Sequence, residues 1–198
     1  MHEKNILQQK IIVKIKEKLS RFIKSFFESI QLMITALALV VVIGFVVQPT
    51  TVIGSSMSPT LESGEILIVE KVSTTVNNIN RGDVITFSET TNKDLVKRVI
   101  GLPGDRVKIS EGKVYVNDQI IPEVYLSVEN RIVPLGTFFS EGQEKTVPAG
   151  SFMVLGDNRK NSLDSRYIGF INKSQVIGKV WIAMWPLDKI HVFNQVQY

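Results

Sequence analysis

Leu95-Val96-Lys97-Arg98-Val99-Ile100-Gly101-Leu102-Pro103-Gly104-Asp105 is an apolar, β-branched run closed by a Pro-Gly-Asp turn. That pattern reads as a strand ending in a tight turn, not as a helix. Two cations interrupt it. Strand alternation puts Lys97 on the face of Leu95 and Val99, with Val96, Arg98 and Ile100 on the other. A lysine on an apolar face usually snorkels to water. If it stays buried, desolvation disfavours the ammonium and lowers its pKa, which makes it a base. A fall from about 10.4 to about 7.5 corresponds to roughly 4 kcal/mol. It requires a dry pocket with no carboxylate in contact with the amine.

Runs of the same kind lie on both sides: Glu65–Lys71, Asp83–Ser88, Arg106–Ile109, Lys113–Val116, Phe152–Leu155 and Val176–Trp185. Turn residues separate them, among them Asn80-Arg81-Gly82-Asp83, Asn117-Asp118, Pro148-Ala149-Gly150 and Gly156-Asp157-Asn158. No long helical pattern and no repeat of fixed period follows residue 49. Residues 49–198 are enough for a domain with its own core. The expectation is a mostly β domain, a folded-over sheet or barrel-like unit. The stretch Pro122–Val147 has weaker pattern and reads as an elaborated loop or hairpin, with Phe138-Phe139 in the core. Val176–Pro186, with Trp181 and Trp185, reads as a core strand.

Upstream, Ile30–Val47 holds 18 residues without a charge. As a helix it is about 27 Å long, close to the thickness of a bilayer's hydrocarbon core. Gln48-Pro49 ends it. The basic segment before it is too long for a secretory signal peptide and no Ala-x-Ala follows, so the run reads as an uncleaved anchor. Ile11, Ile12, Ile15, Leu19, Phe22, Ile23, Phe26 and Phe27 recur at helical spacing, with Lys10, Lys14, Lys18, Arg21 and Lys24 on the other face. This predicts a basic amphipathic helix lying on anionic lipid. The expected organisation is a cytoplasmic basic segment over 1–29, a single transmembrane anchor over 30–48 and an extracytoplasmic β-rich domain over 49–198. The plasma membrane is the expected location, oriented by the positive-inside rule.

Charge and composition narrow the chemistry. Residues 1–31 hold seven Lys/Arg against three Glu, and the remaining 16 basic residues balance 16 acidic ones. The excess positive charge therefore lies beside the apolar run, and no domain-wide basic footprint for nucleic acid remains. The chain of 198 residues has no Cys and only His2 and His191. Disulfide scaffolds, thiolate metal sites and cysteine nucleophiles are excluded, and a His-based triad is disfavoured. No metal or cofactor is expected.

Three polar islands stand out. Gly54-Ser55-Ser56-Met57-Ser58-Pro59-Thr60-Leu61 puts hydroxyls on a tight turn fixed by proline. By itself it reads equally as a linker after a membrane span. Lys97–Asp105 is the second. Gly156-Asp157-Asn158-Arg159-Lys160-Asn161-Ser162-Leu163-Asp164-Ser165-Arg166 is the third, a solvated loop or a shell that orients catalytic groups. A serine nucleophile needs a base, and with no Cys and only terminal His a lysine is the economical candidate.

Taken in series, these islands resemble the bacterial type I signal peptidases. The resemblance runs from the anchor through Gly54–Leu61, Gly64–Ile68, Arg81-Gly82-Asp83-Val84 and Lys97–Asp105 to Gly156–Arg166, in that family's order. It implies a membrane-anchored serine endopeptidase that removes signal peptides from exported preproteins, working as a monomer at the bilayer without a cofactor. It implies Ser56 as nucleophile and Lys97 as general base, with Ser162 hydrogen-bonding and orienting the lysine amine. Gly54 and Ser55 fall beside the oxyanion site. Asp164 and Arg166 match a supporting ion pair, and Asp157 and Arg98 match positions holding the surrounding loops. Met57 matches a wall of the substrate cleft. Val52, Leu61, Leu95 and Val96 match positions around small pockets that accept Ala-sized residues at −1 and −3 and reject larger ones by clash. Two departures stand out. Gly54 replaces a serine whose hydroxyl helps the oxyanion in one branch, and Lys160 stands where an acidic residue is frequent. A self-cleaving Ser–Lys β-domain protein and a non-catalytic membrane-anchored β module are the alternative readings.

Overall fold

The computed structural model describes residues 2–76, 78–89 and 93–193, with side chains from residue 18 onward and those of Lys14 and Lys16. It divides the chain into a helical unit ending at Phe45 and a β unit beginning at Val46.

The helical unit is one helix, α1 (His2–Val46). The predicted boundary between amphipathic and membrane segments is no break in its backbone. Ile11, Ile12, Ile15 and Lys10, four of the thirteen residues of the amphipathic pattern, lie outside the described side chains. The apolar stretch Lys18–Val46 is long enough to cross a membrane and none of its apolar window is buried. Its hydroxyls turn inward to the helix itself: Ser29 Oγ donates to Ser25 O at 2.9 Å and Thr35 Oγ1 to Gln31 O at 3.0 Å. Such bonds spare a polar group from facing hydrocarbon unpaired.

The helix stops at Val46, two residues short of the predicted end of the anchor. Val47 and Gln48 already belong to a strand, β1 (Val47–Thr51). Pro49 explains this, since the residue before a proline is pushed out of the helical region. Pro49 itself is tolerated because β1 is an edge strand, pairing only with β2 (Ile66–Glu70).

The remaining strands are β3 (Val84–Ser88), β4 (Asp94–Gly101), β5 (Arg106–Ser110), β6 (Lys113–Val116), β7 (Gln119–Ile120), β8 (Lys145–Thr146), β9 (Ser151–Leu155), β10 (Ile171–Asn172), β11 (Val176–Trp185) and β12 (His191–Val192). They make an eight-stranded sheet in the order β1-β2-β11-β3-β4-β9-β10, with β12 beside β11, and a four-stranded sheet in the order β7-β6-β5-β8. All pairings are antiparallel. The mostly β expectation holds, but neither sheet closes on itself, so the unit is not a barrel. β6 turns into β7 at Asn117-Asp118, both at positive φ, residue types that tolerate this conformation.

Ile100, Met153 and Leu155 of the large sheet join Val107, Ile109, Val114 and Val116 of the small one in a single cluster. Phe139 is buried there and Phe138 packs edge-on against it. A second cluster joins Val52, Met57 and Leu61 to Val69, Val96 and Val180. A third gathers Ile85, Phe87, Val99 and Val154, with Leu95 against it. Leu95 and Val99 share one cluster and Val96 belongs to another, as alternation along β4 predicts.

Candidate active site

The Ser56 loop spans the gap between β1 and β2. Its ends are tied where Val52 N donates to Glu65 O at 2.8 Å and Gly64 N to Val52 O at 2.9 Å. Inside it, Ser58 N donates to Ser55 O and Leu61 N to Met57 O. Met57 and Leu61 are fully buried and anchor the loop to the core. Gly54 sits at φ +88°, a conformation that an L side chain rarely takes. Its N–H donates to Ser63 Oγ at 3.2 Å. The Ser56 N–H has no hydrogen-bond acceptor among the described residues.

Lys97 comes from the middle of β4, flanked by β3 and β9, and only 1% of its surface is exposed. Its Nζ lies 2.7 Å from Ser56 Oγ and donates to Val96 O at 2.8 Å. Burial pushes the amine from 10.5 down to about 8, against the pull of Asp164 and Asp157 in the other direction. Desolvation wins because each carboxylate is taken by an arginine. Arg98 Nε and Nη2 grip Asp157 at 2.9 and 2.6 Å, and Arg166 Nε and Nη2 grip Asp164 at 2.8 Å each. At pH 7 a group titrating near 8 is roughly one-tenth neutral, against about one part in three thousand for a free lysine. The amine is thus enriched in its basic form.

The third island wraps behind this pair. Asp164 N-caps a short helix, α2 (Ser165–Ile168), and accepts from Gly156 N at 3.0 Å. Asp157 also accepts from Thr60 Oγ1 at 2.6 Å, joining the island to the nucleophile loop. Asn158 N donates to Ser56 O at 3.0 Å, its Nδ2 to Ser55 O at 3.1 Å, and Asn161 Nδ2 to Ser55 Oγ at 2.9 Å. Ser55 is therefore a fixed point for the loop.

Ser162 departs from its expected bond. Its Oγ is buried and has no hydrogen-bond partner. The lysine amine reaches the Val96 carbonyl instead. Gly156 sits under both serines: a Cβ there would lie 2.1 Å from Ser162 Oγ and 2.5 Å from Ser56 O. Only glycine permits this approach.

Thr50, Thr51, Val52, Ile53, Ser56 and Met57 from one side and Lys93–Lys97 from the other line a cleft of about 600 Å³. Of the expected cleft residues, Val52, Met57, Leu95 and Val96 line it. Leu61 does not; it packs in the core with three of them, where its side chain is wholly excluded from solvent. Four contributors escaped the sequence reading: Gly156, Asn158, Thr60 and Arg159. Gly156, Asn158 and Arg159 lie inside the third island and Thr60 inside the first, but only their contacts reveal the role. Among the described residues no group of three His, Cys, Asp or Glu side chains could hold a metal ion.

This constellation of a serine on a pinned turn and a buried lysine at its hydroxyl invites comparison with known proteins. Residues 24–185 match the family model described as signal peptidase, peptidase S26. The chain belongs to the signal peptidase family. Signal peptidase I of Bacillus caldolyticus is 42% identical over 73% of this chain and 83% of its own length. Signal peptidase IB of Staphylococcus aureus (strain COL) is 36% identical over 86% of this chain and 96% of its own length. A crystal structure of a signal peptidase I from Enterococcus faecalis V583 is 35% identical, covers 51% of this chain and 95% of its own, and superposes with a TM-score of 0.42. Within this S26 peptidase, every island named above falls inside the matched residues.

Proposed function

We propose that this S26 peptidase is a serine endopeptidase that cuts signal peptides from exported preproteins, with Ser56 as nucleophile and Lys97 as general base. The observation that carries the assignment is the buried Lys97 amine 2.7 Å from Ser56 Oγ at the cleft. Ser56 Oγ attacks the scissile carbonyl carbon as its proton passes to neutral Lys97. The Lys97 ammonium then protonates the departing amine, leaving an acyl-Ser56 ester. A water deprotonated by Lys97 attacks that ester, and the Ser56 oxygen leaves with the proton. The unpaired Ser56 N–H faces the oxyanion in both tetrahedral states. Ser162, held against Gly156 with its hydroxyl unpaired, orients the amine once Ser56 turns to substrate. Val52, Met57, Leu95 and Val96 favour Ala-sized residues at −1 and −3 by leaving little room.

The uncharged stretch of α1 is the anchor in this reading. It crosses the plasma membrane once within residues 30–46, with 1–29 in the cytoplasm and the β unit outside. A monomer held at the bilayer meets a preprotein whose own apolar helix shares that bilayer, which raises their effective concentration.

Incubating the full-length protein in detergent or lipid with a preprotein bearing Ala-x-Ala, then sequencing the new N-terminus, tests the assignment. Cleavage after the second Ala is expected, together with loss of cleavage in Ser56→Ala and in Lys97→Ala while circular dichroism stays native. The two groups act as one unit, so either change alone suffices. A variant that keeps more than a few per cent of wild-type activity removes its residue from the mechanism.

A further inference from the structure

The third island contains a second buried cation besides those already assigned. Arg159 is 1% exposed. Its Nη1 donates to Glu123 Oε2 at 2.8 Å and its Nη2 to Glu123 Oε1, a two-pronged clamp. Its Nε donates to Gly156 O at 2.9 Å, and its own carbonyl accepts from Arg166 Nη1 at 2.7 Å. The Tyr125 hydroxyl donates to the same Glu123 oxygen at 3.0 Å. The Tyr125 ring lies under the guanidinium of Arg98, 4.0 Å from its centroid to Arg98 Cζ. Glu123 and Tyr125 belong to the weakly patterned stretch between β7 and β8 of the small sheet, outside the three polar islands.

Two residues of that stretch thus touch both guanidinium groups that brace the catalytic loop. Arg159 fixes the carbonyl of Gly156, and Arg98 fixes Asp157. The next residue, Asn158, donates to the carbonyl of Ser56. A buried bidentate arginine–carboxylate pair is directional, and losing one partner strands the other charge out of water. We propose that Glu123 and Tyr125 are positioning residues for the Ser56–Lys97 pair, acting through Arg159 and Arg98 on the turn at residues 156–158 and so on the direction of the Ser56 hydroxyl. Neither touches substrate. The inference rests on Ser56 and Lys97 being the reacting groups.

A displacement of about 1 Å at a reacting group is enough to lower the rate roughly a hundredfold. The cleft walls contain neither residue, so substrate binding is spared. Full-length wild type, Glu123→Gln, Glu123→Asp and Tyr125→Phe are assayed for kcat and KM on one preprotein, with melting curves run in parallel. Glu123→Gln keeps an acceptor but strands the cation; its kcat is expected to fall about tenfold or more with KM within about twofold. Glu123→Asp recovers part of that loss. Tyr125→Phe keeps the ring over Arg98 and removes only the hydroxyl; a several-fold loss in kcat is expected, and it carries the test if Glu123→Gln does not fold. Variants that melt lower but turn over as wild type does, or that lose only in KM, overturn the positioning role while leaving the Ser56–Lys97 assignment standing. A wild type that cuts nothing overturns both.

Discussion

At the scale of single residues the protein turns on one amine. Lys97 sits in a strand that would otherwise be continuous hydrophobic core, and its burial is destabilising. Moving its titration from 10.5 to about 8 corresponds to about 3 kcal/mol. The folded state binds its proton less tightly than the unfolded chain, so between about pH 8 and 10.5 the unfolded state holds more protons. Stability from this group therefore rises with pH across that window, and the full penalty applies below it. Lys97→Met, which fills the same space without a charge, is expected to melt higher than wild type at pH 7, with the difference shrinking as pH approaches 10.5. Differential scanning calorimetry at the two pH values checks this; a variant less stable at pH 7 would contradict it. The candidate pair was legible in the sequence because a lysine flanked by Leu, Val and Ile breaks pattern, and because no Cys or suitably placed His competes for the base. The acceptor of the second amine hydrogen bond was not legible, since any strand carbonyl looks alike in sequence.

Among the elements, the loop after β9 does the positioning and shows where sequence reading stops. Asp157, Asp164 and Arg166 were visible as an alternation of charges. Their pairing with Arg98 and with the cap of α2 is a matter of distance that spacing alone does not encode. Gly156 looked like one more turn glycine, yet it is a contact residue between two serines. Gly156→Ala has no flexible neighbour on the Ser56 side to displace, because the obstructing atom there is a backbone carbonyl. It is expected to lower kcat about a hundredfold or more while the β unit still melts cooperatively. Activity near wild type would contradict a close approach of Gly156 to the Ser56 carbonyl. β1 was missed for a related reason: its first residue closes the apolar run and its third is a proline, so both read as the end of the anchor. The four two-residue strands are too short to leave any periodicity.

Across the whole molecule, composition and pattern set an apolar, positively charged N-terminal segment apart from a charge-balanced, mostly β remainder. Closure of the sheets was not legible, since strand count does not say whether the outer edges meet. The fold matters to chemistry through one consequence. Sheet residues and the loop after β9 together exclude water from the Lys97 amine, while paired arginines keep two nearby carboxylates from holding it charged. The central claim is that this shelter makes Lys97 a base near physiological pH. The most direct measurement is kcat/KM of the full-length protein against pH, on a preprotein whose own groups do not titrate between pH 6 and 11. The account predicts low activity in acid and a single rise with a midpoint at about 8. A rate still climbing beyond pH 10, as for a lysine in open water, would contradict it.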